Sequence, residues 1–205
     1  MPEIPRLNGV IKALEQGKVA FCGFASPDIE TATALAGSPF DGVAFEMEHA
    51  PMSPPVLRDA LQYMLDRRQL VQGGTLAPKV TPFVRIPPNG GEMNQWIAKQ
   101  VLDIGVFGII FPHVSTVEEA RNAVSACRYP RLPGAPLYDP PGIRGDAPTR
   151  AARYWGLTQG STTRGPTCGR WRRRARSWRS SSARTPRRSR TCRASSSRSR
   201  ASAWC

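Results

Sequence analysis

No stretch of this 205-residue chain is apolar over the roughly 20 residues needed to cross a membrane, and no signal sequence opens it, so it reads as soluble and cytoplasmic. Cysteine is sparse. The five are not spaced as CxxC, which removes the usual zinc and redox frameworks. Cys22 and Cys127, each in a mostly apolar setting, read as reduced thiols. No GxGxxG follows the first apolar run, so the main positive evidence for a dinucleotide fold is missing. The last part of the chain lacks far more. Residues 160–205 contain no Asp, Glu, His, Asn or Gln and no Ile, Leu, Val or Met. They offer neither a carboxylate or imidazole ligand for a metal nor the side chains of a buried strand.

What is present divides at the same place. Of 29 Lys and Arg, 14 are Arg residues after position 159, which leaves 15 basic against 15 acidic residues before it. The first 159 residues are electrically neutral. The net charge of +14 therefore belongs to the tail and says nothing about the partners of the front.

The front alternates helical and strand patterns. "NGVIKALEQGK" is a short amphipathic helix, and the apolar run 19–25, "VAFCGFA", predicts a buried strand. "DIETATALAG" is helical and "DGVAFEME", 41–48, is the second strand. Ser53 and Pro54 start a helix with Leu57, Leu61, Met64 and Leu65 on one face. "TPFVRI", 81–86, is the third strand. A helix over 92–104 turns Met93, Trp96, Ile97, Val101 and Ile104 inward and stops at Gly105. "FGIIFP", 107–112, is the fourth strand, and Ser115 with Glu118 predicts a capping box on a helix carrying Val117, Ala120 and Val124. Strands each followed by a helix mark parallel β/α units, in an open doubly wound sheet or a barrel. Either architecture puts chemistry at the C-terminal ends of the strands.

At those ends stand Glu46, Glu48 and His49 in "FEMEHAP", where a carboxylate can fix an imidazole as a general base. The alternative is a solvated loop whose His caps the next helix. Arg85, followed by "IPPNGG", is placed to hold a carboxylate bidentately or to make an ion pair with a neighbouring loop. His113 follows the fourth strand and is a weaker ligand candidate. Arg144 in "PPGIRGD" lies in what is either a turn or a ligand loop.

Together "FDGVAFEMEHAP", "TPFVRIPPN", "VLDIGVFGIIFPHVSTVEEARNAVSACRYP" and "PPGIRGDAPTRAARYWGL" resemble the HpcH/HpaI aldolase family, in order over about residues 7–159. The resemblance implies an α/β fold, a TIM (β/α)8 barrel related to citrate lyase β-type domains, of which about the first four β/α units lie in residues 1–159. It implies a class II, metal-dependent aldolase that cleaves a 4-hydroxy-2-keto acid to pyruvate and an aldehyde, with Mg2+, Mn2+ or Co2+ polarising the keto acid. Homo-oligomers are common in the family. His49 matches the catalytic His, position 46 its acidic partner (often Asp, here Glu46), and Arg85 the Arg facing the pyruvate carboxylate and enolate. The family's metal ligands, a Glu and an Asp after the fifth and sixth strands, should lie beyond residue 159, where this sequence has neither.

The 46 residues from 160 onward use eight residue types, Gly, Ser, Thr, Arg, Pro, Cys, Trp and Ala. Every codon for these types has G or C in the middle. Low-complexity bias is one explanation, yet three Trp and three Cys are foreign to a solvating Arg/Ser tail. A frameshift in a GC-rich gene produces the pattern directly. Shifted by one base, "GSTTRGPTCGRWRR" can come from a text reading EYYARADVWPLAP, and the stretch from Trp178 from one reading LxVVVxEDA, the lost Glu overlapping the codon of Arg184. The sequence thus predicts a half barrel over 1–159, truncated and inactive as written, and a disordered Arg/Ser-rich segment over 160–205. The rival reading is a β/α domain with a basic arm that binds nucleic acid non-specifically.

Overall fold

The computed structural model describes residues 6–88, 93, 95–131, 133–135, 138–145, 149–158 and 203–204. Polar side chains start most of its helices. The Asn8 side chain accepts from Ile11 N at the head of α1 (Gly9–Glu15), and Asp28 accepts from Thr31 N at the head of α2 (Ile29–Ala36). Pro54 opens α3 (Pro54–Tyr63) with its fixed φ, and Asp66 caps α4 (Arg67–Gly73) through Gln69 N. Helix α5 (Gln95–Ile104) ends at Gly105, whose φ of 115° and close approach to Tyr154 exclude any side chain there. Helices α6 (Val117–Cys127) and α7 (Thr149–Trp155) follow.

Between them run β1 (Cys22–Ala25), β2 (Gly42–Glu46), β3 (Thr81–Arg85) and β4 (Gly108–Phe111), parallel and adjacent in chain order. A two-residue strand, β5 (Ala203–Trp204), pairs antiparallel with Ile110 and Phe111 of β4. The α/β class with successive parallel strands is as the sequence predicts. The expected disorder of residues 160–205 lies outside the described residues except at 203–204, where the backbone is paired.

Strands β2, β3 and β4 are buried on both faces, which is why they read as unbroken apolar runs. One face carries Val43, Phe45, Val84 and Ile109 against Leu57 and Leu61 of α3, Ile97 and Val101 of α5, and Ala123 of α6. Each large apolar side chain buried there stabilises the fold by about 1.5–3 kcal/mol. The opposite face carries Ala44, Phe83 and Ile110 with Val10 of α1. Helix α1 can approach because Gly42 has no side chain; a Cβ there would come within 2.8 Å of Val10. Polar bonds lock it down, from Gly9 N to Thr81 Oγ1 at 2.9 Å and from Asn8 Nδ2 to the Phe107 carbonyl at 3.2 Å.

Several expectations are corrected. The run 19–25 is not a buried strand. Val19, Phe21 and Phe24 are exposed, as is Cys22, because among the described residues β1 pairs with β2 alone. Trp96 and Val117 point outward, while Ala123, Ala126 and Cys127 form the buried face of α6. The capping box sits one residue later, with Thr116 accepting from Glu119 N and Glu119 accepting from Thr116 N. Helices α4 and α7 are additions to the elements read from the sequence.

Candidate active site

The parallel sense of the sheet brings the last residues of its strands to one rim. Glu46 and Arg85 end β2 and β3 in direct register, and Arg85 pairs across with Ile110 of β4. Register partners on neighbouring parallel strands point to the same side, so the carboxylate and the guanidinium meet. Arg85 Nη2 forms an ion pair with Glu46 Oε2, and its Nε lies 3.0 Å from Glu48 Oε2 without the alignment of a hydrogen bond. From β1, the Phe24 ring lies 4.6 Å from the guanidinium carbon.

Beyond β2 the chain turns sharply, and Glu46 makes the turn. Its Oε1 accepts from Glu48 N at 2.6 Å and from His49 N at 3.1 Å. Partial burial raises the Glu46 carboxyl, but the hydrogen bonds from Arg85, His49 N and Glu48 N and the guanidinium charge outweigh it and hold the group below the ordinary glutamate range. Glu46 therefore stays ionised through neutral pH. It meets the backbone of His49, while the nearest carboxylate to the His49 imidazole is Glu48, whose Oε2 lies 3.7 Å from Nε2. The His49 side chain is 74% exposed.

Glu48 is the centre of the cluster. Its side chain is 5% exposed, and besides Arg85 and His49 it meets His113, with Nε2 and Oε1 3.1 Å apart. His113 has φ of 59°, a conformation that costs a non-glycine residue about 1 kcal/mol or more. Sequence reasoning placed Glu48 at the rim but gave it no role. Its spacing gave no signal, because Glu48 lies past the end of β2, in the turn that Glu46 holds, where strand alternation no longer orients a side chain.

Arg144 belongs elsewhere. It is buried, its Nη2 donates to Asp103 Oδ1 at 2.6 Å, and its guanidinium lies 4.4 Å from the centre of the Tyr129 ring. It ties its loop to α5 and takes no part in the rim cluster. Among the described residues, no three His, Cys, Asp or Glu side chains are grouped to hold a metal ion, and no helix is long and apolar enough to cross a membrane.

Known proteins resemble this chain in sequence and in fold. A hydroxypyruvate/pyruvate aldolase of Roseobacter denitrificans is 34% identical over 128 residues, 60% of this chain and 43% of that protein. A 4-hydroxy-2-oxovalerate aldolase of Rhodococcus jostii is 33% identical over 152 residues, 73% of this chain and 49% of the relative. The crystal structure of an HpcH/HpaI aldolase/citrate lyase family protein from Burkholderia cenocepacia superposes with a TM-score of 0.55 at 25% identity, covering 75% of this chain and 56% of that one. The chain thus spans about half the length of the curated relatives it matches. The sequence profile of the HpcH/HpaI aldolase/citrate lyase domain matches residues 19–134, more than half of the chain, and the protein belongs to that family.

Proposed function

We propose that residues 1–159 are the first half of a pyruvate-aldolase barrel, about four β/α units. In this reading the substrate is a 4-hydroxy-2-keto acid, cleaved to pyruvate and an aldehyde. The observation that carries the reading is the convergence of Arg85, Glu46, Glu48, His49 and His113 on one rim of a parallel sheet, in a chain of this family.

Retro-aldol cleavage needs a base at the substrate hydroxyl and positive charge where the enolate develops. His49 takes the hydroxyl proton, the bond to the neighbouring carbon breaks, and the electron pair passes into the enolate of pyruvate. Arg85 faces that negative charge. Its Nη1 has no protein partner among the described residues and is the atom we assign to the substrate carboxylate. Glu46 contributes by holding the turn that carries His49 and by fixing one edge of the guanidinium.

A divalent metal would polarise the keto acid, but the residues of this chain do not fit one. The described residues hold no ligand cluster, and residues 160–205 contain no Asp, Glu or His. We accordingly read 160–205 as out-of-frame translation that replaces the second half of the barrel, and the chain as written as inactive. The intact enzyme in this reading is cytoplasmic and homo-oligomeric. The test is pyruvate release from a 4-hydroxy-2-keto acid with Mg2+, Mn2+ or Co2+ added in turn. No release is expected from this chain, and metal-dependent release would overturn the reading of the missing site. Pyruvate itself should still bind weakly, and Arg85→Met should weaken it about tenfold, the loss of about 1.4 kcal/mol; an unchanged isotherm would remove Arg85 from the site.

A further inference from the structure

We propose that Glu48 is the positioning residue of this rim, and that the group it positions is His113, a second imidazole set beside Arg85 to carry a proton. The ligand is named on the aldolase reading above; the positioning itself rests on side-chain geometry alone.

Glu48 is nearly enclosed, and a buried carboxylate is costly unless it is paired. Both of its oxygens are used. Oε2 faces Arg85 Nε at 3.0 Å, and Oε1 faces His113 Nε2 at 3.1 Å. One carboxylate therefore spans the ends of β3 and β4 and fixes the imidazole and the guanidinium relative to each other. His49, by contrast, stands 3.7 Å from the same group and is mostly solvated.

The backbone supports the same assignment. His113 holds a left-handed φ just beyond β4, where an ordinary residue is strained. Residues kept in such conformations are held there by their surroundings; here the His113 carbonyl accepts from Ser115 Oγ at 3.4 Å, and the imidazole meets Glu48. An ionised Glu48 can only accept, so Nε2 of His113 carries the proton that it donates. Nδ1 makes no protein hydrogen bond among the described residues, and the side chain is 47% exposed. That leaves Nδ1 as the atom that gains and loses a proton while Glu48 keeps the ring from turning. In the aldolase reading, protonated His113 gives its Nδ1 proton to the methylene carbon of the enolate. The carbon–carbon π pair forms the new C–H bond, the enolate oxygen becomes the ketone, and neutral His113 keeps its Nε2–H on Glu48.

The chain contains two histidines, so the test is direct. Full-length protein labelled with 15N-histidine should show one imidazole N–H slowed in solvent exchange by its hydrogen bond, and His113→Asn should remove it while His49→Asn should not. Glu48→Leu should abolish the signal. Should that variant fail to fold, Glu48→Gln, which keeps an acceptor but loses the charge, should retain the signal at a shifted position. A signal that belongs to His49, survives Glu48→Leu, is unmoved by Glu48→Gln, or is missing from the unaltered protein overturns the inference. Pyruvate added to the same sample separates the two readings. If it leaves both imidazoles unmoved while the Glu48-dependent N–H persists, the substrate reading fails and the positioning role stands.

Discussion

Residues 1–159 and 160–205 share a chain and little else. The first part is electrically neutral, carries all 15 acidic residues and supplies every buried apolar side chain of the described core. The second carries +14, no acid, and none of the Ile, Leu, Val or Met from which such a core is built. A family profile matches within the first part and stops before the second. The contrast teaches that whole-chain composition can mislead. A pI near 10.7 suggests a nucleic-acid-binding protein, whereas the neutral front belongs to an aldolase family.

The division between the two parts should be sharpest in the gene. Sequencing the DNA across the codon for residue 159 should find a frame shifted by one base. Restoring it should yield a continuation with buried-strand patterns and the acidic ligands that 160–205 lacks. An unshifted frame, with the same arm in related genes, would make the tail a real segment. Next in size is charge. The full chain should bind nucleic acid without sequence preference, and its affinity should fall about a thousandfold or more between 50 and 200 mM salt. Removing residues 160–205 should abolish that binding, since the remainder has no net charge; binding that ignores salt would refute the tail's role. Stability should divide in the same way. Leu61→Ala, in the packed face of α3, should lower unfolding free energy by about 2–5 kcal/mol in denaturant titrations. Removing 160–205 should change it by less than about 1 kcal/mol, within the range of surface changes.

The smallest effect is in acid. The Glu46 carboxyl is held below its unfolded value, so its contribution is complete above the ordinary glutamate range, about pH 4.3, and is lost as pH falls through the folded value. Glu46→Gln should therefore lower stability at neutral pH and flatten the acid limb of a stability–pH curve. An unaltered acid limb would mean the pairing with Arg85 contributes nothing.

Much of the front was legible because its strands are doubly buried and its helices have one apolar face. The runs at 41–48 and 81–86 contain β2 and β3, and Leu57, Leu61 and Met64 are buried as their spacing requires. The failures share a cause: local sequence does not say what lies across the sheet. The run at 19–25 is as apolar as the others, yet among the described residues β1 has a neighbour on one side only, and Phe21 and Phe24 remain exposed. Trp96 shares the helical spacing of the inward residues but lies on the outer side of α5. Thr116 and Ser115 are equally good caps, and only the geometry of Glu119 decides between them. In the rim cluster, Arg85 and Glu46 followed from the strand-end rule. The bridging by Glu48 depends on the register of three strands, and the left-handed φ of His113 has no signature in a single sequence.

The seat of α1 carries a consequence for the order of events during folding. Its first residues bond to Thr81 and to Phe107, partners 72 and 99 positions away. Loops of that length close late, because their entropy must be offset before the contacts form. Helix α1 leaves the ribosome before these partners yet is among the last elements to dock, and must wait until β3 and the start of β4 have been synthesised. A front made without Thr81 and Phe107 would leave α1 with nothing to rest on, and the Val10 face turned to water.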